Sequence, residues 1–184
     1  MEKKVTYPEN GIFTSFYPGS WILVSAVDAA GKADICTVGA WSFVNGVPRL
    51  YGIAMCARES GPTFCKRYTT TCIEETGEFV INIPHAGMRK ACDICGTVSL
   101  TREPDADKFA LAGLTAAPAE KVKAPLIAEC PVNIECRVVD KLELPTHDWL
   151  VGEPLACHTA AEVAEKRASL VWEPLATFDR GEGE

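Results

Sequence analysis

Cys92 and Cys95 are separated by two residues in the stretch KACDICGTVSLT, a spacing shared by redox dithiols and by half of many zinc sites. The apolar pattern around them predicts a helix over about 86–95 that ends at Gly96, with both thiols on its apolar face. A redox dithiol belongs near a helix N-terminus, where the macrodipole lowers the thiol pKa, whereas this pair lies toward the C-terminal end. Zinc would need two more ligands, and the other cysteines and His85 form no second close pair. Core packing is therefore the favoured role of the two cysteines.

The segment Ala57–Cys72 brings basic and hydroxyl side chains together in a chain that is acidic overall. Its members are Arg58, Ser60, Thr63, Lys66, Arg67, Thr69, Thr70 and Thr71. The segment enters a predicted helix, and backbone N–H groups at a helix start, with guanidinium and hydroxyl groups beside them, are the donors that a phosphate monoester needs. A helix N-cap flanked by solvated basic residues produces the same pattern. The residues alone leave both interpretations open.

Signatures of the common enzyme classes do not occur in the sequence. There is no G-x-G-x-x-G after a strand, no Walker loop, no H-E-x-x-H and no G-x-S-x-G. The three histidines, His85, His147 and His158, are dispersed, so no metal site is predicted. A lone histidine is more often a hydrogen-bonded scaffold residue than a catalyst.

Composition narrows the classes of function. The chain has 184 residues, is 47% hydrophobic and carries a net charge of -7, which predicts one globular domain over 1–184 and disfavours nucleic acid or an anionic membrane as partner. The N-terminus lacks the pattern of a signal peptide, and the longest apolar stretch, WILVSAV from Trp21, is too short to span a bilayer. We therefore expect a cytoplasmic protein whose nine cysteines are free thiols.

Apolar runs between turn signals predict a mainly β fold with short helices. The predicted strands are Trp21–Asp28, Ala33–Ala40, Arg49–Cys56, Glu78–Ile83, Pro131–Leu144 and Asp148–Thr159. The first two form a hairpin with Gly31 in its turn. Besides the helix that carries the cysteine pair, helices are predicted over Lys66–Thr76, ending at Gly77, and over Asp105–Ala112, ending at Gly113. Six strands with few helices indicate an antiparallel barrel or sandwich.

Five stretches in order resemble the flavin reductase-like family of FMN-binding split barrels, especially its flavoredoxin-type members. They are WILVSAVDAAGKADICTVGAWSFV, RYTTTCIEETGEFVINIP, CDICGTVS with DADKFALAGLT, KAPLIAECPVNIECRVVDKLEL, and HDWLVGEPLACH, and they cover most of the chain. The resemblance implies a six-stranded antiparallel Greek-key split barrel that forms a homodimer. It also implies that FMN lies in a groove at the subunit interface.

The same resemblance implies roles for individual residues. The strand DICTVGAWS is expected to run beside the flavin, with candidate contacts at Cys36, Thr37, Val38, Gly39, Trp41 and Ser42. The stretch RYT is expected at the FMN phosphate through Arg67 and Thr69, with Arg58 and Thr70 as weaker candidates. Thr97 and Ser99 of GTVS are expected near the ring. His147 is expected on the nicotinamide side of the pocket as the catalytic residue, and a strand-end residue making one structural hydrogen bond is its alternative.

By resemblance, the expected activity is that of an FMN-dependent NAD(P)H oxidoreductase, which reduces free flavin or another small acceptor. The hydride chemistry would belong to the cofactor. Without a Rossmann fingerprint, NAD(P)H would have to enter the flavin groove itself. An FMN electron carrier reduced by a protein partner is the alternative. A cysteine or zinc module without flavin is a third hypothesis.

Overall fold

A computed structural model describes residues 21–59 and 65–168 of the chain. The strands in this part are β1 Ile22–Val27, β2 Ala33–Val38, β3 Trp41–Asn45, β4 Leu50–Cys56, β5 Glu78–Ile83, β6 Ala116–Ala117, β7 Leu126–Ile127, β8 Val132–Glu143 and β9 His147–Thr159. The α-helices are α1 Tyr68–Thr76, α2 Arg89–Thr97, α3 Lys108–Ala112 and α4 Ala161–Ala168. Each of the six predicted strands is present, so the mainly β class is confirmed.

The main sheet closes on itself because of the way its two edge strands are joined. Its strand order is β2-β1-β5-β8-β9-β4-β3, so β2 and β3 lie at opposite edges, and all pairings are antiparallel. Only Gly39 and Ala40 separate β2 from β3 in sequence. The three Cα–Cα steps from Val38 to Trp41 span at most about 11 Å, so the two edges come close together at this point. The Ala54 N–H donates to the Ala40 carbonyl at 2.9 Å, which ties β4 to the junction.

The expected antiparallel split barrel is therefore confirmed, but the expected count of six strands is wrong. The described sheet has seven strands, and β6 and β7 form a separate two-stranded ribbon. The extra strand is β3, Trp41–Asn45, which the six predicted strands do not include. Its residues are half-buried or exposed, so it lacks the alternation of buried and exposed side chains that marks a strand in sequence. The expectation of one continuous strand through DICTVGAWS is wrong, because the chain leaves β2 at Val38 and enters the opposite edge of the sheet as β3 at Trp41.

Alternating side chains of the strands fill the interior of the barrel. Ile22 and Val24 of β1, Phe79 of β5 and Ile134 of β8 belong to one buried cluster. A second cluster lies outside the barrel, where Leu23 and Ile35 pack against α2 and α3. Strand β1 is buried along its whole length because it faces both clusters. The helices thus cover one outer wall of the barrel.

Two helices end at the predicted glycines and one does not. Gly77 and Gly113 follow α1 and α3 in the left-handed conformation, with φ of 70° and 65°. Gly31, with φ of 88°, occupies the turn between β1 and β2 as predicted. The prediction that Gly96 ends the middle helix is wrong, because α2 continues to Thr97 and begins at Arg89 after a short 3-10 turn. A Cβ on Gly96 would lie 3.4 Å from the Thr37 Cβ, so this glycine permits close packing of α2 on β2.

No helix among the described residues is both long enough and apolar enough to cross a membrane.

Candidate functional site

A cavity of about 450 Å³ opens where β2, the end of β4, the start of α1, the C-terminal half of α2 and the start of β9 converge. Seven of the residues expected to contact a cofactor or substrate line it: Cys36, Thr37, Val38, Gly39, Arg67, Thr97 and His147. These residues come from four segments that are far apart in sequence. The sheet register and the packing of α2 on β2 bring them together.

Arg67 is the positively charged residue on the described wall of this cavity. It is half-buried and occupies the N-cap position of α1, but its side chain does not cap the helix. Among the described residues, its guanidinium has one hydrogen-bond partner, the Gly96 carbonyl oxygen at 2.6 Å. Arginine carries five N–H donors, so the described residues leave most of the donors of Arg67 unengaged. The carbonyl contact fixes the guanidinium between α1 and α2.

His147 and Arg67 flank the same residue, Cys56. His147 is the first residue of β9 and pairs with Cys56 across the sheet. The Cys56 carbonyl accepts the backbone N–H of Arg67 at 3.1 Å. The resemblance assigns His147 to the nicotinamide side and Arg67 to the phosphate, whereas the fold sets both positions beside one strand end. The ring Nδ1 of His147 lies 2.8 Å from the Thr146 hydroxyl.

Burial lowers the pKa of His147 below its ordinary value of 6.5. The imidazole is half-buried, and a low-polarity surrounding disfavours its charged form. His147 is therefore neutral at pH 7. A neutral imidazole at a cavity wall can donate or accept a hydrogen bond without adding charge to the site.

Six other predicted residues do not line the cavity among the described residues. Arg58 is held by Asp148 at 2.6 Å and by the Leu144 carbonyl at 2.7 Å, and it lies 3.6 Å from Glu143. These contacts engage both terminal nitrogens of the guanidinium. Its predicted role at a phosphate stays a prediction that the geometry does not support.

The hydroxyl groups of Thr69 and Thr70 also have partners within the chain. Thr69 donates to an Asp34 carboxylate oxygen at 2.6 Å, and Thr70 donates to the Cys56 carbonyl at 2.9 Å. Both threonines are buried in the first turn of α1. Their side chains fix α1 to β2 and β4, so their contribution to the cavity is to hold Arg67 in place.

The remaining three lie elsewhere in the fold. Trp41 lines a second cavity, of about 330 Å³, together with Arg49 and Tyr51. Ser42 is exposed, and its hydroxyl donates to the Phe43 carbonyl. Ser99 follows α2, and its Oγ is buried without a hydrogen-bond partner among the described residues. Ser60 and Thr63 of the basic segment lie outside the described residues.

A buried ion pair supports the strand that carries the cavity wall. The Lys108 ammonium lies 2.9 Å from an Asp34 carboxylate oxygen, and both side chains are at most 1% exposed. Lys108 lies against the Oδ1 atom of Asp34, and this contact is an ion pair without hydrogen-bond geometry. The Oδ2 atom of Asp34 accepts the hydrogen bond from the Thr69 hydroxyl. Lys108 also donates to the Ile35 carbonyl. The pair joins α1, α3 and β2 directly behind Cys36.

The cysteine pair of the sequence is buried, as the predicted packing role requires, and Cys92 also lines the cavity. Cys92 and Cys95 are each 0% exposed and belong to the cluster between the barrel and α2. Burial raises the pKa of both thiols to about 12 and that of Cys36 to about 11. All three are therefore protonated at neutral pH. No cluster of three potential metal ligands occurs in residues 21–59 and 65–168.

Sequence reasoning missed several residues of the cavity wall. They include Trp21, Ala54, Met55, Cys56, Cys65, Asp93 and Gly96. Asp93 lies between the two cysteines of the helix. Cys56 ends a predicted strand, and Cys65 precedes a predicted helix. Functional residues often lie at the ends of such elements, and this position is the signal that could have identified both cysteines.

The chain matches known proteins over most of its length. The family model described as Flavin reductase like domain matches residues 14–181. A protein from Archaeoglobus fulgidus is 35% identical over 136 residues, which is 74% of this chain and 69% of that protein. That relative is an uncharacterized protein, so it adds a relative and no activity.

Two solved structures share the fold. A flavoredoxin from Methanosarcina acetivorans has a TM-score of 0.70 and 33% identity, covering 87% of this chain and 77% of its own. The flavoredoxin of Desulfovibrio vulgaris (Miyazaki F) has a TM-score of 0.70 and 26% identity, covering 88% of this chain and 78% of its own.

Proposed function

Because the chain belongs to the flavin reductase-like domain family, and so has a flavin-related redox role, we propose that its cavity binds FMN and that it is an FMN-dependent NAD(P)H oxidoreductase. Its electrons would pass to free flavin or to another small acceptor. The observation that carries the proposal is the small number of hydrogen bonds that the Arg67 guanidinium makes to the described residues. A guanidinium with most of its donors unengaged by the described residues, on the wall of a cavity in an acidic chain, is suited to an anionic ligand.

The shape of the cavity supports a cofactor of this kind. Its volume of about 450 Å³ falls in the range of roughly 300–1,000 Å³ that is common for small-molecule sites. Gly39 and Gly96 on its wall carry no side chain, and the positions of their missing Cβ atoms lie against Trp21 and Thr37. The wall combines apolar side chains such as Val38 and Met55 with the hydroxyl of Thr97. An aromatic ring with a polar tail fits a wall of this composition.

Arg67 would hold the FMN phosphate from the start of α1. The N-terminal end of a helix carries a partial positive charge, which adds to the charge of the guanidinium. The Gly96 carbonyl orients that group, and the buried threonines of the first turn hold the helix against β2 and β4. The site would thus recognise an anion with a preorganised donor, which reduces the entropy lost on binding.

When bound, FMN supplies the redox chemistry, since it accepts a hydride from a reduced nicotinamide and releases electrons singly or in pairs. His147 would contribute a neutral hydrogen-bonding group at the edge of the cavity. Its lowered pKa keeps the ring uncharged at pH 7. A neutral group avoids repulsion of the nicotinamide cation that hydride transfer leaves behind.

An electron carrier that receives electrons from a protein partner is the second candidate, and the similarity to two flavoredoxins favours it. Mixing the FMN-loaded protein with NADH or NADPH in the absence of oxygen separates the two. Rapid bleaching of the flavin absorbance is expected for the reductase. Absence of bleaching, with rapid reduction by dithionite as the control, would exclude the reductase and support the carrier.

We also propose that the protein acts as a homodimer. Large apolar side chains are exposed on β3 and on the β8–β9 hairpin, including Phe43, Val44 and Leu142, which are 45–59% exposed. Burial of such side chains against a second copy would remove them from water. Sedimentation analysis should give twice the mass of one chain, and a purely monomeric protein at micromolar concentration would contradict this proposal.

A further inference from the structure

The second cavity, of about 330 Å³, shares none of its described residues with the cavity that contains Arg67. Its floor is formed by Ile83 of β5 and by Val132 and Ile134 of β8, which belong to the interior cluster of the barrel and are each at most 8% exposed. The floor is therefore apolar. The volume falls at the lower end of the range of roughly 300–1,000 Å³ for small-molecule sites, so a ligand of small size fits.

Two aromatic side chains, Trp41 of β3 and Tyr51 of β4, form part of the wall. Tyr51 pairs with Phe43, which lies two residues from Trp41 on β3. Trp41 and Tyr51 are thus diagonal neighbours on one face of the sheet, and such neighbours lie about 7–8 Å apart. Both are half-buried and pack against the interior cluster. A flat aromatic ring in the cavity can contact both of them.

Arg49 is the charged residue among the described residues that line this cavity. It directly precedes β4, and its guanidinium carbon lies 5.8 Å from the centroid of the Phe43 ring. Phe43 in turn meets Tyr51 edge-on, with 6.2 Å between the ring centroids and 77° between the ring planes. The guanidinium is therefore positioned beside the aromatic wall. A guanidinium that lies over a ring keeps its charge and its N–H donors for other contacts.

The charges of the two cavities differ. The wall around Arg67 also contains Asp93, whereas the described lining of the second cavity contains Arg49 and no carboxylate. In a chain with a net charge of -7, a cavity of this kind attracts an anion. An inorganic anion has no apolar surface to match the floor and the aromatic wall. The lining therefore favours an anion that carries an aromatic ring.

We propose that the second cavity binds small aromatic carboxylates of the benzoate class. The ring of the ligand contacts Trp41 and Tyr51 above the apolar floor, and its carboxylate accepts N–H groups of Arg49 at the rim. This inference does not rest on the proposed function, because the two cavities share no described residue and the contacts involve no flavin.

Calorimetric titration of the full chain with three ligands tests the proposal. Benzoate has both the ring and the charge, benzamide has the ring without the charge, and acetate has the charge without the ring. We expect benzoate to bind more tightly than the other two. The titrations are done with FMN in excess, on the parent and on Arg67→Ala, so that binding of benzoate in the cavity of Arg67 is recognised.

Arg49→Gln should weaken benzoate binding by about 10-fold, because a hydrogen bond to a charged group is lost, and should leave benzamide binding unchanged. Arg137→Gln is the matched control. Arg137 is an exposed arginine of β8 that Glu153 holds at 2.8 Å, and it does not line the cavity. This variant should bind benzoate as tightly as the parent does.

Three results would overturn the proposal: benzoate binds no more tightly than benzamide, Arg49→Gln binds benzoate like the parent, or Arg67→Ala is the variant that loses benzoate. A second copy of the chain is the competing occupant of the cavity, since Phe43 at its rim is 52% exposed. Sedimentation of the parent and of Arg49→Gln covers this case. If benzoate fails to bind at millimolar concentration and the variant alone is monomeric, the cavity is a contact between copies and the proposal is wrong. Absence of benzoate binding without a change in mass contradicts it equally.

Discussion

Arg58 and Arg67 lie near the two ends of one basic segment, and the fold uses them in opposite ways. Arg58 bridges β4 to the β8–β9 hairpin through Asp148, Glu143 and the Leu144 carbonyl. Arg67 has a single carbonyl partner among the described residues and lines the cavity. Residue type and local sequence do not distinguish them. The difference lies in how many of their donors the rest of the chain engages.

The comparison separates a structural charge from a binding charge. A guanidinium that is engaged by carboxylates within the chain has few donors left and is already neutralised by its partners. A guanidinium that is positioned by one neutral carbonyl keeps its charge and most of its donors. For an arginine beside a cavity, the number of intramolecular partners is therefore more informative about ligand binding than the motif in which it lies.

Lys108 extends the comparison to a charge that is completely enclosed. Replacing it with methionine would leave the buried Asp34 carboxylate without its counter-charge, so we expect a loss of about 3–5 kcal/mol in the free energy of unfolding. Urea denaturation measures it. The double variant Asp34→Asn with Lys108→Met should recover part of the loss. A Lys108→Met protein as stable as the parent would show that the pair does not hold β2, α1 and α3 together.

Cys92 and Cys95 test whether buried side chains contribute to the stability of the fold and not to the binding of FMN. Changing both Cys92 and Cys95 to alanine should lower the free energy of unfolding by about 1–3 kcal/mol in total, because two buried side chains lose their contacts. FMN affinity should remain close to that of the parent. Thermal unfolding and FMN titration of the same samples check both statements. A stable double variant that binds FMN but transfers no electrons would refute the packing role.

His147 gives the smallest expected effect, because one neutral hydrogen bond is involved. His147→Ala should keep FMN bound and slow reduction by NAD(P)H by about 10-fold, the equivalent of one hydrogen bond of roughly 1.4 kcal/mol. Since burial lowers the folded-state pKa, the parent's rate should be flat from pH 7 to 8. The part of the rate that depends on His147 should be lost only as the pH falls through a midpoint below 6.5. Equal single-turnover rates for variant and parent would leave His147 a structural residue.

Strands whose side chains alternate between the barrel interior and its outer wall were predictable from the sequence. Strand β9 has this pattern in its first half, whereas Glu78–Ile83 and the first half of β8 were predictable as continuous apolar runs because they are buried on both faces. Strand β3 was not predictable, because its exposed side chains carry no alternation. Gly96 was misread, because a glycine that allows helix-to-strand contact looks like one that ends a helix.

The candidate site was predictable only in part, for a physical reason. Arg67 could be selected from its position before a helix, because that signal is local. The partners of Arg58 could not, since Asp148 is 90 residues away and meets it only through the register of β4 on β9. The approach of Cys56 to the start of α1 depends on hydrogen bonds that no short motif encodes. Long-range pairing decides which of two similar residues is left to face the cavity.

The central claim is that Arg67 binds the phosphate of FMN, and a paired titration tests it most directly. FMN and riboflavin differ by the phosphate alone, so their affinity ratio isolates that group. Arg67→Ala should weaken FMN binding by roughly 10- to 100-fold, equivalent to a charge-assisted contact of about 1.5–3 kcal/mol, with little change for riboflavin. Arg58→Ala is the matched control and should leave the ratio unchanged, although its melting temperature falls because Asp148 loses its nearest partner. An FMN-to-riboflavin ratio that is the same in Arg67→Ala as in the parent would contradict the account.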